Sequence, residues 1–173
     1  LMIGSEGTLG IITKIVFKLI PLPTKDITML VPFTSAEKAC EAVSAVFRAG
    51  ITPSALEFIE RDATLWTLKY TDINLQIEDE IQAHLLVEVD GNDMDVLNKD
   101  CERIAEVMGL FECGEILLAD SESQKNKIWK LRRAIAESVK SNSIYKEEDT
   151  VVPRAELAKL LKGVKEIGEK YRS

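Results

Sequence analysis

"AHLLVEVDG", residues 83–91, is the most regular stretch in the chain, and the fold is read outward from it. Leu85, Val87 and Val89 project to one side, and His84, Leu86 and Glu88 to the other. A period of two is that of an extended strand. "DGND" then turns the chain into a helix with Met94, Leu97, Cys101, Ile104 and Met108 at helical spacing, ended at Gly109, and residues 113–119 read as the next strand. Upstream, Ile27, Met29, Val31 and Phe33 alternate as a strand, and Thr34-Ser35-Ala36-Glu37 fits a capping box. The helix it opens carries Ala36, Ala39, Cys40, Val43 and Phe47 on one face and meets Gly50, a natural C-terminal stop. "SALEFIE" (54–60) reads as a short strand, "RDATLWTLKYT" (61–71) as a short helix, and 72–80 as an acidic connection.

From Met29 to Leu118 the order is β-α-β-(α)-β-α-β, the split βαβ pattern. The expected class is therefore α+β and ferredoxin-like: an antiparallel sheet with helices on one face. The other face needs a cover or is a binding surface. The remaining chain offers a helix at about 121–140, a strand-like "SIYKEEDTVV" (143–152), and a helix from Arg154 with Leu157, Leu160, Leu161, Val164, Ile167 and Tyr171 on one stripe.

Composition narrows the partners. The chain has 173 residues, 46% hydrophobic and 29% charged, with a net charge of −7. Nucleic-acid binding calls for a basic stripe, so a phosphate-backbone partner is not expected. No apolar run approaches the roughly 18 residues of a membrane-spanning helix. Three cysteines, Cys40, Cys101 and Cys113, show no Cys-x-x-Cys pair, and two lie on apolar helix faces. They read as reduced, buried thiols of a cytoplasmic protein. The one histidine, His84, reads as an exposed strand residue, and a zinc site would lack its usual ligands. In "EED" (147–149) only Glu147 and Asp149 would share a strand face, so no metal site is expected there. Trp66, Tyr70 and Trp129 suit core or lid packing.

The amino end is unusual. "IGSEGTLGIIT" (3–13) sets glycine at Gly4, Gly7 and Gly10, followed by a stretch from Ile12 to Leu19 that alternates like a half-buried strand. Such spacing lets backbone N–H groups approach a ligand without Cβ interference, and Ser5 and Thr8 add hydroxyls. The loop could cradle a pyrophosphate or the polar edge of a flavin. A dinucleotide-binding Gly-rich loop has a strand before it and a helix after it, so this loop is of another kind. "PLPTKD" (21–26) then reads as a linker at a domain boundary.

The wording "IGSEGTLGIITKIVFKLIPLP" closely resembles the segment that closes the FAD-binding domain of FAD-linked oxidases of the vanillyl-alcohol oxidase type. The likeness is to the branch holding glycolate oxidase, D-lactate dehydrogenase and D-2-hydroxyglutarate dehydrogenase. "PSALEFIERDA", "IWKLRRAIAESV" and "YKEEDTVVPRAEL" resemble that branch's C-terminal cap, in the same order. The resemblance implies that residues 1–22 end an FAD-binding domain whose remainder lies upstream, and that 23–173 form a cap cut before its own end. It implies FAD as cofactor, lined by Gly4, Ser5, Glu6, Gly7, Thr8, Gly10 and Ile12. It further implies a small D-2-hydroxy acid as substrate, hydride transfer to the flavin, and an electron-acceptor subunit as a partner.

Arginine suits the substrate carboxylate because its planar fork makes two parallel charge-assisted bonds. Arg132 stands at the edge of a helix face formed by Ile128, Leu131, Ile135 and Val139, while Arg133 beside it points outward. The family's Trp-x-x-Arg motif matches Trp129-Lys130-Leu131-Arg132, which implies a carboxylate-binding role for Arg132. Lys146, in the family's Tyr-Lys setting, is the second implied carboxylate ligand. Some relatives carry a hydroxyl residue four positions after the arginine; Ala136 stands there, which weakens a 2-hydroxyglutarate assignment. The branch's His-rich Gly-Asp-Gly-Asn stretch, which supplies metal ligands and the base, has no counterpart before Ser173, so no catalytic residue is expected within the chain. The reading of another class is a stand-alone ferredoxin-like module that binds a small molecule or dimerises.

Overall fold

The structure, a computed structural model, describes residues 2–171. Four strands, β1 (Lys25–Phe33), β2 (Ala55–Glu60), β3 (Ala83–Gly91) and β4 (Leu117–Leu118), form one antiparallel sheet in the order β2-β3-β1-β4. Helices α1 (Ala36–Arg48), α2 (Arg61–Tyr70), α3 (Met94–Gly109), α4 (Glu122–Asn142) and α5 (Leu157–Tyr171) surround it. The α+β class is as expected. Two β-α-β units interleave: β3 lies between β1 and β2, and β1 lies between β3 and β4. β3 is the longest-paired element, matched to β1 from Ala83↔Phe33 through Gly91↔Lys25.

The period-two pattern sorts the side chains as read. Leu85, Val87 and Val89 of β3 and Met29, Val31 and Phe33 of β1 point to one face, where they meet Ala39, Val43 and Val46 of α1 and Leu97, Ile104 and Met108 of α3. α1 starts at Ser35, whose Oγ accepts from Lys38 N at 3.2 Å and donates to Glu37 Oε2. The cap is thus one residue later than the capping box placed it, and Ser35 with Glu37 makes it. At the other end Gly50 adopts φ +78 and Ile51 N donates back to Val46 O, a Schellman-type stop.

The opposite face is covered in part by α4, which α2 buttresses. Leu30, Leu86 and Ile59 from three strands pack against Ile128 and Leu131. Between the helices, Thr67 and Ser138 share a buried hydrogen bond of 3.0 Å. α5 packs its first turns on α1, with Leu157 and Leu161 against the main core, while Val164, Ile167 and Tyr171 stand exposed.

Three expected strands are corrected. Ile12–Leu19 makes no strand: Ile15, Phe17 and Leu19 are exposed and pair with no strand among the described residues. "SIYKEEDTVV" likewise has no strand, and residues 143–151 are exposed throughout. Alternation alone does not make a strand without a neighbouring ladder to satisfy its N–H and C=O groups. Residues 113–119 pair at only two positions, Leu117 and Leu118, with one isolated bridge from Cys113 to Phe33. Among the described residues, no helix is long and apolar enough to cross a membrane. Because Leu131 is the buried centre of the α4 contact, Leu131→Ala is expected to cost about 3 kcal/mol. Urea unfolding followed by circular dichroism measures it, and a cost near zero would contradict this packing of α4.

Candidate functional site

The face beneath α4 is not purely apolar. Each of three adjacent strands offers it one carboxylate. Lys125 Nζ donates to Asp26 of β1 at 2.7 Å. One helical turn on, Trp129 Nε1 donates to Glu88 of β3 at 2.8 Å. One turn further, Arg132 Nε donates to Glu57 of β2 at 2.9 Å. Residues 125, 129 and 132 recur at the spacing of one helix face, and Ile128 and Leu131 between them fill the apolar gaps. The helix therefore crosses the sheet diagonally, tied once to each strand. Glu88 Oε2 also accepts from the buried Thr28 hydroxyl at 2.8 Å. The hydrogen bond to Asp26, with one to Glu122, pushes the Lys125 ammonium up to about 12.

Arg132 ends this row. Its side chain is half-exposed, and its only hydrogen bond among the described residues is the one from Nε. Nη1 and Nη2 have no hydrogen-bond partner among the described residues, and together they form an edge of two parallel donors. Glu57 sits in the "SALEFIE" strand, opposite Leu86. Arg133 is exposed, as expected. Trp129 is half-buried in its network, whereas Trp66 and Tyr70 stand exposed on α2 rather than in a core.

Lys146 lies in the unpaired segment after α4. It is 84% exposed and pairs with Glu148. The glycine loop also stands at the surface. Gly4 and Gly7 take φ +79 and +80, and Glu6 joins them at +47. A Cβ at Gly4 or Gly7 would meet nothing within 4 Å, so it is the backbone conformation that calls for glycine there. Ser5 N donates to Met2 O, and Thr8 spends both its N–H and its hydroxyl on Ser5 O. The N–H groups of Gly4, Glu6, Gly7, Gly10 and Ile12 have no backbone partner among the described residues. Neither hydrogen bond nor ion pair links the loop, Arg132 and Lys146 to one another.

His84 is a correction. Read as exposed, it is 6% exposed and lines a cleft of about 840 Å³. Leu30, Leu75, Ile77 and Leu117 line this cleft, with Glu78, Glu80 and Glu115 on its rim. Pro32 of β1 and Ile59 of β2 stand opposite it in the sheet, and Nδ1 is buried with no partner among the described residues. Desolvation, then the charge of Arg61, pushes its pKa down to about 4. The cysteines are free, and burial pushes all three thiols up. Among the described residues no three metal-ligating side chains are grouped.

Residues 22–172 match the profile of FAD linked oxidases, C-terminal domain. This chain belongs to that family. A D-lactate dehydrogenase of Anaerostipes hadrus is 35% identical over 168 residues, covering 93% of this chain and 35% of that protein. Glycolate oxidase subunit GlcD of Bacillus subtilis is 32% identical over 174 residues, 99% of this chain and 36% of its own length. GlcD of Escherichia coli is 30% identical over 172 residues, 99% of this chain and 34% of its own length. The chain thus spans about a third of the length of the curated relatives it matches, and FAD is the cofactor that gives the family its name.

Of the residues in the α4 row, the sequence pattern singles out Arg132 as a site residue and leaves Asp26, Glu57, Glu88 and Lys125 unremarked. A signal for them existed: acidic residues at inward positions of three strands, and a polar-apolar row on a single helix face.

The buried histidine yields a sign for the pH dependence. Unfolded, His84 titrates at about 6.5; folded, at about 4. The unfolded state therefore binds more protons between these values, and stability falls with falling pH across that window. Relative to a His84→Leu variant, the native chain is expected to lose up to about 3 kcal/mol between pH 7 and pH 4. Parallel curves for the two proteins, from urea melts at each pH, would contradict the buried neutral imidazole.

Proposed function

We propose that this chain is the substrate-binding cap of an FAD-dependent oxidoreductase that oxidises a D-2-hydroxy acid such as glycolate or D-lactate. It works against an FAD-binding domain upstream in the same protein, with residues 1–22 closing that domain and 23–173 forming the cap. The observation that carries the reading is Arg132: a half-exposed guanidinium fixed through Nε, with its two-donor edge unspent. The names of the relatives supply the substrate class, since glycolate and D-lactate are both 2-hydroxy monocarboxylates. The naming of GlcD as one subunit of glycolate oxidase supports an electron-acceptor subunit as partner. Three free cysteines fit a cytoplasmic setting.

The glycine loop suits the cofactor. Its unspent N–H groups lie in a largely exposed stretch, and Gly4 and Gly7 leave open space where side chains would stand. No cationic side chain occurs from Met2 to Thr13, so the loop suits the carbonyl- and nitrogen-bearing edge of a flavin better than a pyrophosphate. Gly4, Ser5, Glu6, Gly7, Thr8, Gly10 and Ile12 would line it. When bound, FAD supplies the acceptor for the hydride of the alcohol carbon. Arg132 grips the substrate carboxylate with two parallel bonds, and Lys146 adds a second cation. The exposed tie of Lys146 to Glu148 is of the kind worth little in water, so a ligand carboxylate displaces it at small cost. Two fixed points on the carboxylate leave the α-carbon a single approach, and that positioning is the contribution of this domain.

In the full-length, FAD-loaded protein, Arg132→Ala is expected to lower kcat/KM for glycolate or D-lactate by about 100-fold, the worth of a charge-assisted bidentate contact. Steady-state kinetics at fixed flavin content checks it; an unchanged kcat/KM would remove Arg132 from the site. The 173-residue chain purified by itself is expected to be colourless, because one edge of a cofactor site makes too few contacts to hold FAD. A stoichiometric flavin absorbance would contradict that division of the site.

A further inference from the structure

Resting on the carboxylate-binding reading of Arg132, the geometry points to a role for its acidic neighbours. We propose that Glu57 is the positioning residue for Arg132 and, together with Glu88, restricts the site to hydroxy acids that carry a single carboxylate.

Two uses of Glu57 are conceivable, and the hydrogen bonding separates them. A carboxylate that competes with substrate would take the Nη1/Nη2 fork, the edge a ligand needs. Glu57 instead takes only Nε, on the stem side, at 2.9 Å. That contact restrains the rotation of the guanidinium plane and leaves the fork without a partner among the described residues. The backbone of Glu57 is itself fixed, since it lies within the β2–β3 ladder opposite Leu86.

The second effect is charge. Glu88 stands opposite Ala55, so Glu57 and Glu88 are diagonal neighbours on the α4 face of adjacent strands. Such neighbours lie roughly 7–8 Å apart. Trp129 and Thr28 hold the Glu88 carboxylate at one oxygen, and both donors are neutral. The row at this end of α4 therefore offers one cation and two carboxylates, and Lys146, the second cation of the proposed site, is already matched by Glu148. A monocarboxylate finds one matched fork. A dicarboxylate brings a second negative charge into a place where two already stand, and like charges in partly buried surroundings repel. Ala136, one turn beyond Arg132, offers no hydroxyl to compensate.

Two variants of the full-length, FAD-loaded protein separate the effects. Glu57→Gln keeps an acceptor for Nε and removes the charge. It is expected to lower the preference for D-lactate over D-2-hydroxyglutarate and D-malate, as a ratio of kcat/KM, by about tenfold. Glu57→Ala removes the acceptor as well, and is expected in addition to raise KM for D-lactate about tenfold, with a smaller change in kcat. A merely structural role would lower kcat/KM for mono- and dicarboxylates by the same factor and leave the ratio where it was, which overturns the proposal. A fall in KM in Glu57→Ala also overturns it, because Glu57 would then compete with substrate. Arg132→Ala run alongside keeps the two levels apart. If that variant is unimpaired, the carboxylate reading itself fails; if it is impaired while the ratio in Glu57→Gln is unmoved, only the role of Glu57 fails.

Discussion

One helix laid across one sheet face, and the polar contacts that fix it there, determine how the second face of this domain is arranged. α4 touches β1, β3 and β2 in turn through Lys125–Asp26, Trp129–Glu88 and Arg132–Glu57. The apolar contacts of Ile128 and Leu131 supply the burial, but they are non-directional and would tolerate a slide or a rotation of the helix. The three polar contacts would not. Shifting α4 by one residue would break all of them and leave Glu88, half-buried, without its indole donor. Register and adhesion thus come from different side chains on the same helix.

The two faces of the sheet are built for different purposes. Against α1 and α3 the strands present Val31, Phe33, Leu85 and Val87, all fully buried, a packed interior of the usual density. On the other face, which α4 covers in part, they present an alternation of Leu30 and Leu86 with Thr28, Glu57, Glu88 and His84. Polar groups at inward positions are costly unless satisfied. Most here are, by side chains of α4 or by each other. His84 is not, and it stands where the helix does not reach, in the open cleft toward Leu117.

The fold was legible where local pattern and long-range pairing agree. β1, β3, α1 and α3 each carry an apolar period that matches the element and a partner to satisfy it. Residues 12–19 and 143–152 carry a strand-like pattern too, but no strand among the described residues pairs with them, and the pattern alone says nothing about the missing neighbour. His84 shows a similar gap. Its alternation put it on the second face correctly, yet whether that position is wet depends on the 74–81 connection and on residues 112–118, which line the cleft around it. Arg132 could be singled out from Trp-x-x-Arg wording and its edge position. Glu57 could not, because the pairing of residue 57 with residue 132 is a property of how α4 crosses the sheet.

The proposed reading rests on the guanidinium of Arg132 for the substrate and on the glycine loop for the cofactor. The most direct measurement is a crystal structure of the full-length, FAD-loaded protein with pyruvate, the oxidised counterpart of D-lactate, bound. The account predicts the pyruvate carboxylate on Nη1 and Nη2 of Arg132 while Nε stays on Glu57. A carboxylate bound elsewhere, or an Arg132 that has left Glu57 to reach it, would contradict the account.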